Sequence, residues 1–517
     1  MTVRMVAAAA LLAAALPAHA VPTRATGTPA PLAETRATIS RGLDAARSGD
    51  CAGSLALLDP LLVGLAAGDE RNVAQLARMP CLATLGRGAD LAAAQRELAG
   101  ALPRNPSVRA MGVIAAAITG AYDQAAERLT AIAVDDDDAA LALIPADVWR
   151  GIAQKLTQDG KVALRDSTAL ALARADWQPA DQPQVREMLA QSAIGTLLAQ
   201  GETSEAGLLL PRITIPELLV EMATERAYAP LWREVEARMG PAQGEAVDRY
   251  AQARLDAFAR QPDDAETLRD ATRAFGLLGR YEEAHEIAAP VRVADGMDET
   301  AVLIVGYDGQ VLQAAGKPDA ALARLRPFAT IDPARTPAAV SGMIALAETL
   351  DETGHAQEAL TVARTAQIKG REALSPWGRG WLMRTEVCAL TTLRQTAEAR
   401  AAGDRVKAQS GDNPAAAIEG LLCAGRTGDA AVIAVATLGT VEGADRIADQ
   451  FQPNGAVWLS GNSRLRGLWA TLLTRADVRA AFEKRARILP RAFWPSRTPR
   501  PIPTGGASGD GDVSTST

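Results

Sequence analysis

The chain has 517 residues, 48% of them hydrophobic and only 4% aromatic, with a formal net charge of −7. Mild acidity argues against a nucleic-acid binder, whose affinity would rest on a basic face. Alanine and leucine dominate, which favours helices with small contact residues. A chain this long makes about three ordinary domains unless it is built from repeats, which need no such division.

Residues 1–20 read as a secretory signal peptide: Arg4, an apolar run from Val6 to Leu16, Pro17, then Ala18-His19-Ala20 ahead of Val21. That run is too short to span a bilayer, which takes about twenty residues, and no later stretch is long and apolar enough. The expected product is exported, periplasmic or secreted, after cleavage near Ala20. Residues 21–36 read as a flexible lead-in, rich in Pro, Thr and Ala up to about Leu32, and helical patterning begins near Ala37.

Six windows then repeat one pattern, Gly-x-(Tyr or small)-x-x-(Ala or Ser), beginning at Gly49, Gly120, Gly201, Gly279, Gly316 and Gly354. Self-similarity at a period of a few tens of residues marks a solenoid. In the clearest unit Leu268, Ala271, Phe275 and Leu278 make one apolar stripe, Gly279 allows a turn, and Tyr281, Ala284, Ile287, Ala288 and Val291 make a second. The next unit has Ile304, Tyr307, Val311 and Ala315, a turn at Gly316, then Ala321, Leu325 and Phe328, closing at Asp332-Pro333. A third has Met343, Leu346 and Leu350, a turn at Gly354, then Ala359, Ala363 and Ala366. Weaker copies lie near Gly160, Arg394 and Gly428, and between about 207 and 261 there is helical patterning without a clean unit.

These residues resemble the tetratricopeptide repeat, a helix-turn-helix unit with Gly-x-Tyr-x-x-Ala across its turn and Asp-Pro closing its second helix. The units here are mostly longer than that family's repeat of about 34 residues. The resemblance implies an all-α fold, a right-handed superhelical solenoid of stacked helical hairpins, with repeats over 37–240 and 241–490. It also implies a concave groove for a partner's helix or extended peptide, lined by first-helix positions. Carried over unit by unit, these are Glu266, Arg269 and Arg273, then Gln310 and Gln313, then Glu348 and Asp351. They lack the Lys and Asn set with which some family members clamp a terminal carboxylate.

Cys51 and Cys81 near the start, and Cys388 and Cys423 near the end, are spaced to form two local bridges pinning the terminal repeats, or else are buried thiols. Arg479, Lys484, Arg485, Arg487 and Arg491 make the last helix basic, either a solvated cap or a dock for an acidic partner. Residues 491–517 read as a disordered Pro/Gly/Ser tail, with Phe493 and Trp494 tucked against the last repeat.

No catalytic or cofactor signature is found. His285 and His355 lack companions at metal-ligand spacing, and Gly309 to Lys317 departs from a phosphate loop in spacing and at Pro318. Asp135 to Asp138 reads as a helix start rather than a calcium loop. The expected function is therefore a non-catalytic exported scaffold or adaptor for protein partners in a cell-envelope assembly, without metal or cofactor. The alternative is a glycan-binding or peptidoglycan-processing accessory protein. For that, Trp149, Trp177, Trp232, Trp377, Trp381, Trp458 and Trp469 are the stacking candidates, with Trp377 and Trp381 the least certain to be core.

Overall fold

The computed structural model describes residues 30–457 and 463–503. The leader with Ala20, most of the lead-in, Trp458 and residues 504–517 lie outside them. The described chain is all-α and divides into two compact units between Ile213 and Thr214.

The first unit holds α1 (Ala30–Arg47), α2 (Cys51–Gly64), α3 (Asp69–Thr84), α4 (Gly88–Ala101), α5 (Pro106–Ile118), α6 (Tyr122–Val134), the single turn α7 (Asp138–Leu141), α8 (Ala146–Gln158), α9 (Val162–Arg174), α10 (Val185–Ala199) and α11 (Thr203–Leu209). Helix α1 starts ahead of Ala37, so 30–36 are helical rather than lead-in; Pro31 sits in the first turn, where its missing N–H costs nothing.

The second unit opens irregularly with α12 (Pro216–Thr224), α13 (Trp232–Met239) and α14 (Gly244–Arg260), joined by 3-10 turns. Five hairpins follow. They are α15 (Ala265–Leu277) with α16 (Tyr281–Ala288), α17 (Glu299–Ala314) with α18 (Pro318–Leu325), and α19 (Ala339–Glu352) with α20 (Ala356–Lys369). The last two are α21 (Pro376–Thr392) with α22 (Thr396–Ala408), and α23 (Pro414–Cys423) with α24 (Thr427–Thr437). The short α25 (Val441–Asp445), α26 (Arg464–Leu473) and α27 (Ala476–Arg485) close the unit.

One device makes every hairpin. At Gly316 the backbone takes φ +73°, its N–H bonds Gln313 O, and the next N–H, of Lys317, bonds Leu312 O. This is the left-handed helix ending that glycine adopts without strain. The same pair of bonds recurs at Gly49, Gly86, Gly120, Gly160, Gly201, Gly279, Gly354, Arg394 and Gly425. Arg394 adopts φ 58° without being glycine. The turn expected near Gly428 is made instead by Gly425, because Gly428 already lies inside α24. The small residue five places after the turn explains the rest of the pattern. Ser54, Ala125, Ala206, Ala284, Ala321 and Ala359 are all fully buried, where the second helix crosses the first too closely for a larger side chain.

Capping and core follow the same plan. Asp264, Asp298, Ser375 and Asn413 accept a backbone N–H at the starts of α15, α17, α21 and α23. The stripes read from the sequence, including Leu325, Phe328, Met343, Leu346, Leu350, Ala359 and Ala363, form one continuous core running on to Phe451, Trp469 and Phe482. Of the four aspartates, Asp137 and Asp138 begin a helix as expected, whereas Asp135 ends α6 and Asp136 turns the chain at φ 51°. Asp137 caps α7, and Asp135 and Asp137 also clamp Arg109, at 2.6 and 2.8 Å.

Both cysteine pairs are disulfides: Cys51–Cys81 joins α2 to α3 and Cys388–Cys423 joins α21 to α23. The loops they close, of 30 and 35 residues, cost the unfolded chain about 4 kcal/mol each in the chain-entropy account. Replacing Cys51 and Cys81 by serine is expected to speed hydrogen exchange in α1–α3 selectively, leaving α8–α11 protected. Uniform loss of protection across the first unit would show that its hairpins melt as one body instead.

The C-terminal segment departs most from expectation: residues 491–503 are not a free tail but lie on the opening helices of the second unit. Arg487 N–H donates to Thr224 O at 2.8 Å, its side chain pairs with Glu236, and its guanidinium stacks 3.6 Å from the Trp232 ring centroid. Arg500 N–H donates to Leu278 O at 2.8 Å and its side chain pairs with Asp248 at 2.6 Å. Close approach is possible because a Cβ on Gly244 would fall 2.8 Å from the Arg500 guanidinium. The acidic surface these arginines meet is the chain's own.

At the same joint, Glu225 forms an isolated antiparallel bridge with Ala486. Burial, with Glu221, Asp445 and Asp449 nearby, pushes its carboxyl up to about 9. The folded state thus holds a proton that the unfolded chain releases near 4.5, so stability falls as pH rises between those values. Glu225→Gln is therefore expected to stabilise the second unit by on the order of 2–4 kcal/mol at pH 8. The gain should vanish near pH 5. A gain that does not change between those pH values, in chemical denaturation, would contradict this account.

Candidate functional site

The first helices of four successive hairpins, α17, α19, α21 and α23, converge with the start of α26 on a cavity of about 520 Å³. Tyr307, Gln310 and Gln313 come from α17; Ser341, Glu348, Thr349 and Glu352 from α19; Trp381 and Arg384 from α21; Glu419 from α23. The i, i+3 spacing of 307, 310 and 313 keeps those side chains on one helical face.

The wall is a charge network. Arg384 is all but fully buried, donates to Glu348, and lies 3.4 Å from Glu419 and 3.9 Å from Asp351. Desolvation opposes its charge, but Glu348, Glu419 and Asp351 together hold it above the ordinary arginine range. Burial pushes the Asp351 and Glu419 carboxyls up, against the pull of Arg464 and Arg384 on the first and of Arg384 on the second. Trp469 Nε1 donates to Glu419 at 2.9 Å. Arg464 pairs with Asp351 at 2.9 Å, and Glu352 accepts from Ser463 Oγ and Arg464 N–H, capping α26 from outside.

The groove positions carried over from the repeat pattern fall in three places. Gln310 is exposed at the cavity rim, Gln313 bonds Thr349 at 3.0 Å, and Glu348 is half-buried on Arg384. Asp351 is buried behind Glu348 and already occupied by Arg464. Glu266, Arg269 and Arg273 do not line this cavity. Arg269 pairs with Glu266 and Asp270, while Arg273 pairs with Glu217 at 2.6 Å over the Tyr250 ring. The sequence reading missed Arg384 and Glu419, which lie on stripe positions of α21 and α23 among apolar neighbours. A charged residue in an otherwise buried register was the available signal.

The tryptophans divide. Trp149, Trp177 and Trp469 are buried, the second bonding Leu141 O, and Trp232 lies between Arg226 and Arg487. Trp381 lines the cavity, with Trp377 edge-on to it at 6.0 Å and 39% exposed. His285 is bound to buried Asp308 at 2.7 Å, which also pairs with Arg324, so it holds α16 to α17. Among the described residues no cluster of three or more His, Cys, Asp or Glu could hold a metal ion, and no helix is long and apolar enough to cross a membrane.

The repeated glycine turns, crossing alanines and consecutive packing define an all-α helical-repeat protein, whose turn pattern resembles that of the tetratricopeptide repeat. No protein-family model matches the chain, and no curated protein does. Among solved structures it is similar to one titled "Crystal structure of APC/C hetero-tetramer Cut9-Hcn1". The identity is 14% over 85% of this chain and 90% of that one, with a TM-score of 0.22, too loose a superposition to bear on function.

Proposed function

We propose that the protein is a non-catalytic, exported scaffold that holds a protein partner within a cell-envelope assembly. The observation that carries this reading is the open cavity to which the first helices of successive repeats contribute, with Gln310 exposed at its rim. Stacked hairpins of this type offer a long rigid surface on which a helix or extended peptide can lie. The leader-like first twenty residues and the two disulfides suit an oxidising compartment outside the cytoplasm.

The test is a photoreactive residue at Gln310 in the native cell envelope, followed by mass spectrometry. A dominant protein adduct, lost when Ser341→Arg crowds the rim, is the expected result. An adduct pattern no different from that of a photoreactive residue at Val63, an exposed position in the first unit, would sink the proposal.

A further inference from the structure

Two buried charged groups in the cavity wall have hydrogen-bonding capacity that the protein leaves unused. Arg384 is 2% exposed, and its Nε and Nη1 have no hydrogen-bond partner. Glu419 is 5% exposed, and its Oε2 has none. The Arg384 Nε and Glu419 Oε2 stand 3.4 Å apart, close enough to attract but not aligned as a hydrogen bond. Unmade bonds on buried charges are costly and rare, so a pair of them at a cavity wall calls for a group that completes both.

A hydroxyl does this alone, accepting from the guanidinium and donating to the carboxylate. A charged ligand does it badly. Glu348, Glu352 and Glu419 face an anion with like charge, and Arg384 and Arg466 do the same to a cation. The Gln310 amide and the Ser341 hydroxyl, both exposed, add neutral donors and acceptors at the mouth, and half-buried Trp381, whose ring the Arg384 guanidinium overlies at 5.4 Å from the centroid, adds aromatic surface to the wall. The volume, about 520 Å³, falls within the range of small-ligand sites. We propose that this cavity binds a neutral saccharide, with Arg384 and Glu419 sharing one hydroxyl and Trp381 against the ring. This goes beyond the scaffold reading, since it concerns the cavity floor rather than its rim.

The full chain is titrated with maltose, cellobiose and diacetylchitobiose while tryptophan fluorescence and heat are recorded. Saturable binding of at least one is expected, weakened about tenfold by Glu419→Gln, which keeps an acceptor for Trp469. Trp381→Leu should weaken it similarly and serves as the test if the first variant fails to fold by circular dichroism. Three results overturn the proposal: no saturation at millimolar sugar, binding that neither variant changes, or tighter binding of glucuronic acid or glucosamine than of any neutral sugar. Crosslinking at Gln310 is read separately, so absent sugar binding would leave the scaffold proposal standing.

Discussion

Replacing Arg384 by methionine is expected to cost the second unit about 3–5 kcal/mol at pH 8, the range for breaking one side of a buried ion pair. The substitution keeps most of the volume but leaves Glu348, Asp351 and Glu419 without their shared cation. Burial already raises the Asp351 and Glu419 carboxyls, and losing the cation raises them further. Their folded pKa values then lie above the unfolded ones, so the penalty is present above the ordinary carboxylate range and shrinks as pH falls into it. Urea unfolding at pH 8 and pH 5 checks this. Adding Glu348→Gln and Glu419→Gln should recover part of the loss, since a neutral wall needs no arginine. A single variant as stable as the parent at pH 8 would show that the network is solvated rather than buried.

Trp469→Ala is expected to be comparably severe, about 3–5 kcal/mol. Trp469 is fully buried, packs edge-on against Phe451 with ring centroids 4.8 Å apart, and donates the hydrogen bond that Glu419 accepts. Truncation opens a cavity and strips a buried carboxylate of its donor at once. Trp469→Phe separates the two effects: it restores most of the packing and should cost about 1–2 kcal/mol for the unmade hydrogen bond. If the two variants unfold at the same denaturant concentration, packing contributes little and the hydrogen bond is the whole effect.

The hairpins were legible in the sequence because their chemistry is local. A left-handed helix ending selects glycine at positions such as Gly279, Gly316 and Gly354, and the crossing selects alanine five residues later, so both leave a readable spacing. Arg394 broke that code and was visible only as a weak copy. The site was legible in part. Gln310, Gln313 and Glu348 could be placed by register, since first-helix positions repeat from hairpin to hairpin. What fills the neighbouring space could not: Arg464 reaches Asp351 from 113 residues away, and no periodicity announces such a pairing. The end of the chain departs from its sequence pattern for a related reason. Residues 491–503 contain arginine and proline without an apolar stripe, which looks like a solvated tail. Their attachment uses guanidinium bonds to carbonyls and carboxylates and close approach over Gly244 and Gly279, none of which needs hydrophobic patterning.

That returning segment alters how the second unit comes into being. An open stack of repeats folds by nearest-neighbour growth and can fray from either end. Here Arg487 meets Ala223 across 264 residues and Arg500 meets Asp248 across 252, so closure waits until those two arginines have been made. Contacts of such sequence separation slow folding, because loop entropy must be lost before they form. Once made, they leave neither end of the unit free to peel away, and a chain cut short by a few tens of residues would keep its hairpins yet lose its resistance to unravelling.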